Sequence, residues 1–151
     1  MVSAALVSFA HFLAFFAMTA ALVLQLVLLA EDVDVRRAKR IRRANAVYGL
    51  SALAILVFGF LRVYYFEKGA DYYFSNAWFI TKLVVFVLIG LLSTVPTRRF
   101  LSWKKTLRNG KSPVLSDADE RKLRLVIHAE LTGIGIILLC AAFMAHGIGG
   151  F

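Results

Sequence analysis

The sequence predicts an all-α integral membrane protein, a four-helix bundle occupying one domain over residues 1–151, and three observations predict it. Four apolar runs, roughly 4–30, 46–66, 77–95 and 124–146, each approach or exceed the ~20 residues a helix needs to cross a ~30 Å hydrocarbon core. With 60% hydrophobic residues and a mean hydropathy of +0.75, the chain is too apolar for a soluble domain of its size. Of its 18 Lys and Arg residues, six lie in 31–45 and nine in 97–124. Both basic segments follow odd-numbered spans, so they share one side. The bias of Lys and Arg toward the cytoplasm puts them inside, with the N-terminus, the 67–76 loop and the C-terminus outside.

Span one carries Ser8, His11, Met18 and Gln25 on one stripe, since steps of 3, 7 and 14 return to nearly the same helical face. Polar groups confined to one stripe of a membrane helix turn toward the bundle interior. The run has no basic n-region and exceeds the length of a signal-peptide core, so it is expected to be retained. The following EDVDVRRAKRIRRAN segment suits a tight, highly charged cytoplasmic hairpin. Span two places Tyr48, Ser51, Ile55 and Arg62 on one face and ends in the aromatic belt Tyr64-Tyr65-Phe66. The 67–76 connection is rich in aromatic and charged residues and is expected to pack over the bundle mouth as a lid.

Span three has Lys82 about a turn and a half from its outer end, and Pro96 marks its exit. The 97–115 segment reads as an interfacial stretch followed by an Asn109-Gly110 turn. Ser116-Asp117-Ala118-Asp119 fits an N-cap signature, so the last helix is expected to run over 117–146. On it, His128, Thr132, Gly135, Leu139, Ala142 and His146 fall along one face. His128 and Glu130, two positions apart, fall on different faces and are not expected to form one site. Cys140 is the only cysteine, which excludes an internal disulfide and makes it a packing residue.

The net charge of +9 raises the question of nucleic acid, but the basic residues flank membrane spans and interleave with few aromatics. The expected partner is instead the lipid bilayer, with anionic lipids at the cytoplasmic face. Small-residue faces, Gly49 and Ser51 among them, also permit a homodimer.

Depth decides which polar groups can meet. At 1.5 Å per residue, His11 lies roughly 10 Å below the outer boundary, Lys82 at about that depth, and Arg62 roughly 5 Å in. His146 lies near the outer end of span four. The acids on this side, Glu67 and Asp71, are both in the loop, so the outer half carries excess positive charge that an anionic ligand would relieve. Snorkelling of Arg62 and Lys82 to the interface is the alternative. His11, with its short side chain, has no such route.

These residues resemble a family of bacterial four-span membrane proteins labelled as a domain of unknown function. The stretches carrying the likeness are AHFLAFF around His11, YGLSALAILVFGFLRVYYFEKGADYY from Tyr48 to Tyr73, and ITKLVVFVLIGLLSTVPTRRFLSW from Ile80 to Trp103. The bundle also looks like the wider CopD-like group, which includes the HemJ-type protoporphyrinogen oxidases. There a histidine in the first span and a lysine opening the third are functional, and haem b is associated with the protein. His11 and Lys82 match those positions by type and depth. The Trp- and Gly-rich stretch and arginine ending the first span, and an Asn-Glu-x-Pro signature before the last, are absent here, so protoporphyrinogen oxidation is not implied.

The resemblance implies a haem b or related porphyrin site in the outer half, with His11 as the metal ligand through the haem iron. Arg62 and Lys82 would face the propionates, and His146 is the candidate second ligand. Two readings from other classes stand beside it. One is a small-anion transporter or binding protein using Arg62, Lys68 and Lys82. The other is a structural or assembly subunit of a larger complex. The expected location is a bacterial cytoplasmic membrane.

Overall fold

The computed structural model describes residues 2–67 and 69–149, all of them helix or short connection. Helix α1 spans Val2–Leu28 and α2 spans Val35–Leu61, continuing through a π turn at Arg62–Phe66. A short α3, Ala70–Phe74, precedes α4 at Ala77–Leu92. Beyond Ser93 the chain continues helically as α5, Thr94–Ser102, and α6, Lys104–Arg108, before α7 at Asp117–Ala145. Four helical stretches, Val2–Leu28, Val35–Phe66, Ala77–Arg108 and Asp117–Ala145, are long and apolar enough to cross a membrane. The protein is an integral membrane four-helix bundle.

Two boundaries differ from the hydropathy reading, for one reason: hydropathy marks where lipid begins, not where a helix begins. α2 starts eleven residues before the apolar run, because the Asp34 carboxylate caps it by accepting from the Arg37 N–H at 2.6 Å. The Arg, Lys and Ala residues that follow are good helix formers. Most of the expected hairpin is therefore the first three turns of α2, and the connection shrinks to residues 29–34. The 97–115 segment is likewise helical until Asn109-Gly110, where Gly110 takes φ +69°. The expected cap of the last helix is present: Ser116 Oγ accepts from the Asp119 N–H at 3.2 Å.

The bundle is built from two antiparallel pairs, α1 with α2 and α4 with α7. At the basic end the pairs are joined. There α1 and α5 meet α7, α5 meets α2, Thr97 donates to Asn45 Oδ1 at 3.1 Å, and Arg99 pairs with Asp119 at 2.7 Å. The main core runs from mid-bundle to this end and includes Met18, Leu22, Ile41, Phe100, Trp103 and Ile127. At the opposite end the pairs part, and no residue of α2 comes within 8 Å, Cα to Cα, of α4. A second cluster of Val63, Tyr73 and Phe79 closes the tip. Asn76 caps α4 through its Oδ1, donates from Nδ2 to the Ile148 carbonyl at 3.2 Å, and so ties the end of the chain to the start of α4. The outward faces are apolar, with Phe9, Phe16, Leu50, Leu53, Val87, Leu91 and Leu125 exposed as lipid contacts.

Candidate functional site

The parting of the two pairs leaves a cavity of about 550 Å³ at the end opposite the basic loops. Five phenyl rings, from Phe12, Phe15, Phe60, Phe79 and Phe86, line it alongside His11, Arg62, Glu67, Tyr72, Tyr73, Lys82 and Met144. An apolar chamber of this size carrying a few polar groups is the usual form of a small-molecule site.

His11 reaches the cavity from the polar stripe of α1. Its ring lies against the backbone of Gly59, where an added Cβ would stand 3.2 Å from Cε1. Gly59 thus makes the room the imidazole occupies. His11 Nδ1 is buried and has no hydrogen-bond partner among the described residues.

Arg62, at the start of the π turn, donates from Nε to Glu67 Oε1 at 2.7 Å and forms an ion pair with the same carboxylate through Nη2. Its guanidinium also lies over the Phe12 ring, 5.1 Å from the centroid. The other oxygen of Glu67 accepts from the Tyr73 hydroxyl. Through Glu67, then, the end of α2 is bound to α3, and of the 67–76 segment expected to cover the bundle mouth, Glu67, Tyr72 and Tyr73 line the cavity end. Tyr73 stacks on Phe79 at 5.2 Å, which fixes that cover to α4. Lys82 lies over the Phe79 ring, 4.7 Å from the centroid, and forms no ion pair among the described residues.

Three of the four residues read from sequence, His11, Arg62 and Lys82, therefore meet in one chamber. His146 does not: it ends α7, is exposed, and lies outside the lining. The whole face from His128 to His146 is turned outward at His128, Thr132, Gly135, Leu139 and Ala142. Lys68 lies outside the described residues. Glu67, Tyr73 and Met144 are cavity residues that sequence reasoning did not place there. The signal available for Glu67 was an acid five positions after a membrane arginine. Among the described residues, no group of three His, Cys, Asp or Glu side chains is gathered to hold a bare metal ion.

Fold and site together define a class: a small four-helix membrane bundle with an aromatic chamber, a histidine and a lysine at one end. Over residues 3–149 the chain matches the family described as "Predicted membrane protein (DUF2214)", and it belongs to that family. No curated protein and no solved structure matches it.

Proposed function

We propose that the chamber binds an apolar, anionic, ring-shaped ligand, with haem b or a related porphyrin as the specific candidate. The observation that supports this is His11, whose Nδ1 has no hydrogen-bond partner among the described residues, sharing an aromatic cavity with Lys82, which forms no ion pair among them. The residues present fit such a group. His11 offers a nitrogen, the phenyl rings offer an apolar slot, and Lys82 offers a cation for a propionate. With His146 outside the lining, a second histidine ligand is not part of the proposal. Haem, when bound, supplies one-electron redox chemistry. The CopD-like kinship belongs to the same proposal.

A small-anion site has less support, because Glu67 already neutralises Arg62, which among the described residues leaves Lys82 as the cation facing the ligand. The gap between α2 and α4, where Leu56 and Phe60 are partly exposed, also suits entry from the bilayer rather than from water.

The test is the absorption spectrum of protein purified in mild detergent from haem-sufficient cells. A Soret band is expected, lost or shifted in His11→Ala and reduced in Lys82→Met, but unchanged in His128→Ala on the outward face of α7. Protein that stays colourless after haem supplementation overturns the haem reading.

We infer from the basic loops an orientation with both of them cytoplasmic, in a bacterial cytoplasmic membrane. There they would meet anionic lipids. Reporter fusions after residues 40 and 110 are expected to read cytoplasmic, and a fusion at residue 70 periplasmic. The opposite pattern would turn the chamber to the cytoplasmic side.

A further inference from the structure

A second polar site lies in the half of the bundle nearer the basic loops, away from the chamber. Its centre is Glu130 on α7, whose side chain is 0% exposed and whose two carboxyl oxygens have no hydrogen-bond partner among the described residues. Gln25 on α1 is 1% exposed, and both its amide oxygen and its amide nitrogen are also without partners. Tyr48 and Ser51 on α2 are buried as well.

Counting from the chamber puts these groups in one layer. His11, Gly59, Lys82 and Ala141 all line the chamber, one from each spanning helix. Eleven residues further toward the basic end, about 16 Å, lie Tyr48 on α2, Ser93 at the end of α4 and Glu130 on α7. Gln25 lies about 21 Å from His11 on α1, so the layer is roughly one helical turn thick. Tyr48 lies close to both Glu130 and Ser93.

A carboxylate in that layer would be a membrane-embedded charge with no counter-ion. Among the described residues, Glu130 forms no ion pair with a lysine, arginine or histidine. Of the helices that pack on α7, α1 presents Gln25, α4 ends at Ser93, and α5 carries Arg98, which is exposed, and Arg99, which pairs with Asp119, while Tyr48 and Ser51 come from α2. Of the nearest charges of its own helix, Arg124 pairs with Glu120 at 3.5 Å, and Arg121 and Lys122 are exposed. His128 is exposed on the opposite face, its Nδ1 in hydrogen-bond contact with the Arg124 carbonyl at 2.7 Å. Charges buried in this way are costly and mark ion or proton sites.

We propose that Glu130 is a proton-binding site, with the Gln25 amide and the Tyr48 hydroxyl as its neutral partners. Binding a proton converts the carboxylate to a neutral acid, which has one O–H to donate and a carbonyl oxygen to accept. The amide of Gln25 offers the complementary acceptor and donor, so a direct or water-bridged pairing of the two side chains would satisfy all four orphaned atoms without placing a charge in the core. Release of the proton leaves a carboxylate for which the layer has hydrogen-bond donors but no cation.

The test uses the full chain in detergent or nanodiscs. Infrared spectra recorded across a pH series should show the carbonyl stretch of a protonated carboxylic acid at neutral pH. That stretch should vanish in alkali and be absent from Glu130→Gln. A hydrophobic carbodiimide, which reacts with protonated carboxyl groups in apolar surroundings, should modify residue 130 by mass spectrometry, and sodium chloride should protect no better than choline chloride. Protection by sodium alone would overturn the proposal in favour of an alkali cation held by the carboxylate. An infrared spectrum with no protonated acid at neutral pH would overturn it outright, and that measurement needs no variant to fold.

Discussion

Gly133→Leu is expected to separate α4 from α7, with most of the protein lost to aggregation in mild detergent. Gly133 faces α4 so closely that even an added Cβ would stand 2.8 Å from both Cγ1 and Cδ1 of Ile89 and 3.5 Å from Val85 Cγ1. Ile89 is itself buried, and its branched side chain has few rotamers to retreat into. Without a hydrophobic driving force between helices in lipid, close approach at small residues supplies much of the association. Gly133→Ala makes the argument quantitative. Alanine gains up to about 1 kcal/mol of helix propensity over glycine. Overpacking costs typically about 1–3 kcal/mol. The clash should win, so Gly133→Ala lowers the thermal midpoint, and Gly133→Ala with Ile89→Val should regain part of the loss. A Gly133→Ala protein more stable than the parent would show that the α4–α7 contact has slack.

What could be read from sequence follows what lipid demands of a side chain. Polar groups that cannot satisfy themselves on their own helix must turn inward, and the stripe of Ser8, His11, Met18 and Gln25 does so, as does that of Tyr48, Ser51 and Ile55. The rule does not extend to the His128–Thr132 face of α7. His128 contacts the Arg124 carbonyl at 2.7 Å and Thr132 donates to the His128 carbonyl at 2.9 Å, each bond lying within one turn. Polar side chains satisfied in this way can face outward, and the inward face of α7 is instead Glu130, Gly133, Ile134 and Cys140.

Glu130 lies six residues into the 124–146 apolar run, close to the membrane boundary by sequence alone. Its burial depends on α1, α4 and α5 closing over that end, and no pattern within α7 reports this. The chamber is legible only in part for a similar reason. His11, Arg62 and Lys82 declare themselves by charge and depth. The gap that unites them comes from two helix pairs joined at one end only, which is a tertiary property. The cover over the chamber was suggested by the composition of 67–76, but its fastening through Glu67 was not.

That fastening gives the last prediction. Arg62→Leu should loosen the segment over the chamber, because among the described residues it leaves the Glu67 carboxylate with only the Tyr73 hydroxyl. Removing one partner of a buried pair costs about 3–5 kcal/mol. Here the two side chains are 22% and 27% exposed, so water takes up part of the loss and about 1–3 kcal/mol is expected. Glu67→Gln on top of Arg62→Leu removes the stranded charge while keeping an acceptor for Tyr73, and should restore most of the stability. Equal midpoints for the single and double variants would mean that the pair contributes little, and that Tyr73 packing on Phe79 holds the cover. The same carboxylate also sets the charge of the chamber. Glu67→Gln alone frees the Arg62 guanidinium, so retention of an anionic ligand should rise by about 1 kcal/mol, roughly fivefold, measured as porphyrin affinity in detergent. Lys82→Met should act in the opposite direction. A Glu67→Gln variant that binds porphyrin more weakly would mean that holding the cover in place outweighs the charge it neutralises.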